Sequence, residues 1–185
     1  MLHLRVFVIG LVLLATGCAT TEQNRGRDAW PSPGSYGGEA YIQQQAQLKR
    51  GEQQYQFIAV TEINAKQVRL VGLSIMGVKL FDLSWDGTVL TSHSLLPKSE
   101  QGPNDALVLE SLLLALWPPT ELDALLSSAK LTMITTSDSR VVSKGDGQQQ
   151  LTVLYQQPRQ NGGQIRIIDK RFQTELTLTT IEWQQ

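Results

Sequence analysis

Hydrophobic and polar positions follow a period near two over most of this chain, and the exceptions are short. The alternation predicts strands over 41–49, 53–64, 67–76, 78–85 and 88–94. In the second of these, Tyr55, Phe57 and Ala59 fall on one face and Ile58 and Val60 on the other. Arg50-Gly51-Glu52 joins the first pair, and Asp86-Gly87 is a strong two-residue hairpin signal before the fifth. The pattern then breaks over 97–103. Asn104 or Asp105 can cap a helix to Trp117, Pro118-Pro119 ends it, and Thr120, with Glu121 and Asp123 following, opens a second short helix to about residue 129. Alternation resumes over 131–136, 140–143, 151–156, 164–168 and 172–183, punctuated by Gly145-Asp146-Gly147, Asn161-Gly162-Gly163 and Asp169-Lys170. The expected class is mainly β (α+β), a large antiparallel sheet with a helical insertion after the fifth strand, in one domain over 38–185.

Two stretches depart from a plain sheet-and-helix pattern. Between Ala106 and Trp117 the only polar residues are Glu110 and Ser111, whereas a surface helix shows a polar face. This helix must be covered nearly all round, either by a sheet curving about it or by plugging the mouth of an apolar cavity. The second is Ile75-Met76-Gly77-Val78, between the third and fourth strands, where a hairpin tip normally carries Asn, Asp or Ser with Gly. An apolar tip needs a partner, which is a neighbouring element, a membrane or another protein.

The first residues give an address. Met1-Leu2-His3-Leu4-Arg5 is a short basic start, 6–14 is apolar apart from Gly10, and Ala15-Thr16-Gly17 is a small-residue exit, the layout of a secretory signal over 1–17. The apolar run is shorter than the roughly 20 residues a membrane-spanning helix needs. Cys18 is the sole cysteine, so it cannot form an internal disulfide. Ala15-Thr16-Gly17-Cys18 resembles the bacterial lipoprotein box, which implies cleavage after Gly17 and covalent acyl chains on Cys18; two or more chains anchor a protein stably. Ala19, in place of the Asp that retains lipoproteins at the inner membrane, points to the periplasmic face of the outer membrane of a Gram-negative bacterium. Residues 18–37, rich in Thr, Gln, Asn, Pro and Gly, read as the lipidated cysteine and a flexible tether.

Composition narrows the function further. The 185 residues carry 16 Lys and Arg against 17 Asp and Glu, without a basic run or interleaved aromatics, so nucleic acid is not an expected partner. The glutamine pairs and triplets lie within or beside alternating segments and read as solvated strand faces. With the signal removed, His93 is the single histidine, which gives no zinc site with the lone cysteine. Ser92-His93-Ser94 lacks a nucleophile elbow, and neighbouring residues of a strand point apart. Asp86 belongs to a turn; Asp82 would join the face of Val78 and Leu80, either at a wet edge or orienting a polar head group. The glycine clusters lack the following helix that a phosphate loop requires. No catalytic residue, metal site or dissociable cofactor is expected.

The segment LVGLSIMGVKLFDLSWDG, residues 70–87, resembles the strand, apolar Leu-Gly turn, strand and Asp-Gly hairpin of the LolA/LolB lipoprotein-localisation group, and LLLALWPPTELDALL resembles its helical segment. The chain is similar over about 41–183 to a family of small, uncharacterised bacterial outer-membrane lipoproteins, a domain of unknown function related to that group. The resemblance implies a strongly curved antiparallel sheet, an unclosed barrel, whose apolar concave face is lidded by helices and binds acyl chains. It also implies a membrane-touching turn, with Met76 at the position of the group's protruding leucine and Ile75 and Val78 beside it. Leu109, Leu112, Leu113, Leu116 and Trp117 would form the lid, and Leu73, Phe81, Leu83 and Trp85 are the candidate sheet residues, although alternation leaves open which of them face inward. The expected partners are the membrane, through the lipid anchor, an acyl or lipid cargo, and a periplasmic carrier or envelope protein. An alternative is a structural or assembly lipoprotein that holds a protein partner, with its helix simply filling the barrel.

Overall fold

The computed structural model describes residues 20–22, 27–95 and 105–185, with the backbone alone for 20–22. The signal segment and Cys18 lie outside the described residues. The strands are β1 (Thr20–Glu22), β2 (Ala40–Arg50), β3 (Gln53–Ile63), β4 (Val68–Leu73), β5 (Lys79–Trp85) and β6 (Leu90–Ser94). After them come α1 (Asp105–Leu116), a 3-10 turn (Pro119–Leu122) and α2 (Asp123–Ser128). The chain finishes with β7 (Leu131–Thr135), β8 (Ser139–Lys144), β9 (Gln149–Gln156), β10 (Gln164–Asp169) and β11 (Thr174–Gln184). No helix among the described residues is long and apolar enough to cross a membrane.

The eleven strands among the described residues form one antiparallel sheet in the order β1-β6-β5-β4-β3-β2-β11-β10-β9-β8-β7. It is two meanders fused where β2 pairs with β11, from Arg50 opposite Thr174 to Tyr41 opposite Gln184, with a bulge at Thr180 and Glu182. β1 and β7 end the sheet on opposite sides, so it is unclosed. The helical insertion therefore carries the chain from one side of the sheet to the other.

Register decides which face is apolar. Ile63, Val68, Trp85 and Leu90 are successive cross-strand partners, as are Thr61, Leu70 and Leu83 one step along. In the other half Leu178, Ile165 and Tyr155 pair across, as do Leu176, Ile167 and Val153. The apolar residues of these rows, with Ile42, Ala46, Val142 and Leu151, form one cluster with the buried side of the helices, and Thr61 is a buried polar residue in its row. Every residue of α1 is buried or half-buried, so one face of the sheet wraps round the helix. Gly72 makes room for a ring on this face: a Cβ there would stand 2.2 Å from the ring of Phe81, its cross-strand partner.

The expected strands and helices are present, with three differences, the first being the added edge strand β1 within the expected tether. β4 stops at Leu73 rather than Met76, because the chain turns at Ser74. Residues 27–37 are packed rather than a free tether, and the folded part begins before Gly38. Trp30 lies edge-on to Trp85 at 5.2 Å, the Pro31 carbonyl accepts a bond from Trp85 Nε1 at 3.1 Å, and buried Tyr36 meets Trp117 at 5.2 Å. Two aromatics among polar residues are enough to dock the segment, since large rings dominate burial.

Candidate functional site

The chemistry of this molecule is concentrated in the concave face and its two rims. α1 enters from the β6 side, where Ser92 donates to the Asp105 carboxylate. It leaves at the far rim, where Arg140 Nη1 donates to the Leu114 carbonyl at 2.7 Å and Tyr155 Oη donates to the Ala115 carbonyl at 2.7 Å. The last turn of a helix leaves carbonyls unpaired and carries partial negative charge, so a guanidinium and a phenol are suitable caps. Burial pushes the Tyr155 hydroxyl up to about 12, with Arg140 opposing, and burial likewise lowers the Arg140 guanidinium. Trp117 Nε1 then donates to Ser35 Oγ at 3.0 Å, tying the helix end to the docked N-terminal segment.

Glu110, in the middle of an otherwise apolar helix, is accounted for by one partner. Arg171, in the turn between β10 and β11, reaches Glu110 at 2.8 Å and Asp169 at 2.7 Å. Burial on its own would lower the Arg171 guanidinium, but its bonds to the two carboxylates outweigh that and raise it. The ion pair and the helix caps fix the position of α1, and apolar burial holds it there.

The expected lid residues line this interior. Leu109, Leu113 and Trp117 have no exposed surface, Leu112 is buried, and Leu116 is partly buried against the same cluster. Leu83 and Trp85 are buried from the sheet side, and Phe81 packs on them at the edge, meeting Phe57 at 5.7 Å. Leu73 stands apart: it pairs with Ile58 on the face opposite Gly72 and is outside the buried cluster. Sequence reasoning did not single out Arg140, Tyr155 or Arg171, whose roles arise from pairings across the fold. The concave face is filled in this conformation by the leucines of α1 and by Leu122, Leu125 and Leu126 beyond it.

The apolar tip is outside this interior. Its backbone is an ordinary closed turn: Gly77 N donates to the Ser74 carbonyl at 2.8 Å, Ser74 N to the Val78 carbonyl at 2.8 Å, and Val78 N to Ser74 Oγ at 3.1 Å. Gly77 takes φ +82°, which favours glycine. Ser74 and Gly77 thus satisfy the turn, and Ile75, Met76 and Val78 are free to project. Met76 is 92% exposed, and Ile75 and Val78 are exposed beside it. The tip is not tucked under a neighbouring element.

On the convex face Asp82 accepts from Arg69 Nε at 3.0 Å and Nη2 at 2.8 Å, and from Lys79 Nζ at 3.0 Å. The Arg69 bonds, with help from Lys79 and against burial, hold its carboxyl down to about 2. Asp82 is thus a buried ion-pair centre turned away from the concave interior. His93 lies opposite Asp82 in register and is exposed. Among the described residues no group of three His, Cys, Asp or Glu side chains converges as a metal site.

A helix-filled, unclosed antiparallel half-barrel with an exposed apolar turn is the class of protein this geometry defines. The chain belongs to the DUF3261 family, proteins of unknown function, whose profile matches residues 41–182. Among solved structures it is similar to a Vibrio parahaemolyticus domain designated an outer membrane lipoprotein-sorting protein, at 8% identity and a TM-score of 0.41, covering 80% of this chain and 85% of that one. No curated protein matches it.

Proposed function

We propose that this protein is a lipoprotein anchored through acyl chains on Cys18 to the periplasmic face of the outer membrane, and that it binds or transfers acylated molecules without catalysing a reaction. The observation that carries the reading is α1: an almost wholly apolar helix lying in an apolar concave face, where an acyl chain could take over its contacts. Burying a chain there yields about 25 cal/mol per Å² of apolar surface removed from water. Leu109, Leu112, Leu113, Leu116 and Trp117 are the lid side of the binding surface, and Phe81, Leu83 and Trp85 are the sheet residues to test against it, while Leu73, on the other face, falls outside it. Ile75, Met76 and Val78 touch the bilayer, which accounts for apolar side chains on a turn that does not need them.

A second reading is favoured by the filling of that face. If α1 never leaves, the protein is a structural or assembly lipoprotein that holds an envelope partner with no lipid ligand. Native mass spectrometry of the mature chain after residue 18, followed by organic extraction, separates the two. A discrete acyl or lipid adduct supports the carrier, and a mass that remains that of the bare protein after incubation with fatty acid and phospholipid supports the filled barrel.

A further inference from the structure

The two rims of the sheet differ in charge. The rim that bears the β4–β5 tip also bears the β2–β3, β8–β9 and β10–β11 turns and the start of β7, as the antiparallel registers require. Five of the six described lysines stand on it, all exposed: Lys49, Lys79, Lys130, Lys144 and Lys170. The opposite rim has Lys66, Arg159, which lies over the Trp183 ring, and the exposed acids Glu39, Asp86 and Asp138. Acids on the lysine rim are fewer or occupied. Asp169 is held by Arg171 and Glu175 by Arg166, which leaves Glu52 and Asp146 exposed, while Lys79 is paired with Asp82.

Two shallow grooves open on this rim, and lysines flank both. One, of about 440 Å³, lies between the β2–β3 and β10–β11 turns and is bordered by Lys49 and Lys170. The other, of about 380 Å³, lies between the β8–β9 and β10–β11 turns and is bordered by Lys144, Lys170 and Arg171. Lys170 also donates to Gln149 at 3.0 Å. Exposed Leu95, whose N–H bonds to the Leu80 carbonyl, adds an apolar residue beside the tip. The chain also enters the sheet from here, since Thr20 pairs with Ser92 and Glu22 with Leu90. An anchor on Cys18, just upstream of Thr20, would bring the membrane to the same rim.

We propose that this rim docks on an anionic phospholipid bilayer, Lys49, Lys144 and Lys170 meeting lipid phosphates while Ile75, Met76 and Leu95 enter the headgroup region. The inference rests on the membrane contact of the tip proposed above, and adds to it an orientation and a lipid class. Scattered lysines are each worth about a fivefold gain in affinity at a negatively charged membrane surface, and the gain fades within a Debye length. Neither the tip nor the lysines need the other to be exposed, so their sharing one rim is the complementarity that an anionic bilayer fits.

The test uses the full lipidated chain carrying Met76→Cys, labelled there with an environment-sensitive fluorophore and reconstituted into vesicles; the parent chain serves as labelling control. Phosphatidylcholine vesicles are compared with vesicles holding one quarter phosphatidylglycerol. The expected result is a blue shift in both, larger with phosphatidylglycerol. The increment should be lost in about 1 M salt and in the folded Lys49→Gln, Lys144→Gln, Lys170→Gln protein. Equal shifts in the two compositions, or an increment that survives both salt and the triple substitution, overturn the anionic docking and leave tip insertion standing. No shift in any vesicle overturns tip insertion and the docking together, while the cargo reading is still decided by mass spectrometry.

Discussion

Helix α1 and the β4–β5 tip are the two stretches whose apolar residues outrun what their local structure needs, and they meet opposite fates. In α1, Leu109 and Leu113 have no exposed surface, and the one acid in the middle of the helix is matched by Arg171. At the tip, Ser74 and Gly77 complete the turn, yet Met76 is 92% exposed. The difference shows that an apolar excess has two uses in one fold. In the first the molecule supplies the covering surface itself; in the second that surface has to come from outside.

The contrast can be broken most severely from the helix side. Leu113→Glu places a carboxylate where no water reaches and should cost more than about 4 kcal/mol, so that chemical denaturation finds the domain largely unfolded in buffer. Arg171→Ala comes next. It strands Glu110 and Asp169 in partly buried positions and should lower stability by about 3 kcal/mol in urea melts, with Glu110→Gln recovering part of the loss.

At the base of the tip, Asp82→Asn should cost about 1–2 kcal/mol by weakening the charge-assisted bonds from Arg69 and Lys79. The native carboxyl lies at about 2, below the ordinary aspartate value of about 3.9, so its contribution is complete above pH 4. That contribution is lost as pH falls through about 2, and the variant should show a flatter acid limb in stability measured from pH 5 to 2. Smallest of all, Met76→Ser should leave stability within about 0.5 kcal/mol of the parent, because nothing in the fold leans on that side chain. A larger loss would mean that the tip has a covering surface within the molecule and would erase the contrast with α1.

Much of the fold was legible because period and punctuation agree. Asp86-Gly87 and the alternation of 53–63 need no distant information, and Pro118-Pro119 ends α1 as expected. What could not be read is what depends on partners far along the chain. Trp30 and Tyr36 sit in a stretch polar enough to pass for a tether, and only Trp85 and Trp117 show where they dock. The lysine rim is invisible in the same way. No two of Lys49, Lys79, Lys130, Lys144 and Lys170 are neighbours in sequence, so a search for a basic run finds none, and antiparallel register alone gathers them. Within the candidate interior, the burial of the α1 leucines was legible from an absent polar face, whereas the inward or outward sense of Leu73 depends on a register that shifts between Gly72 and Leu73.

The pairing of β2 with β11 also sets the order in which the chain can assemble. From β2 to β6, and again from β7 to β11, each strand pairs with the next in sequence, so both meanders can form as local hairpins while the chain is still emerging. The junction between them closes a loop that spans nearly the whole domain, and such non-local contacts are slow to form. Until Thr174–Gln184 arrives, Ile42 and Ala46 on one side and Ile165 and Ile167 on the other stand beside unpaired backbone. The last strand is thus a keystone, and a nascent chain lacking it exposes two sticky edges at the centre of its own sheet, where a holdase would have to bind.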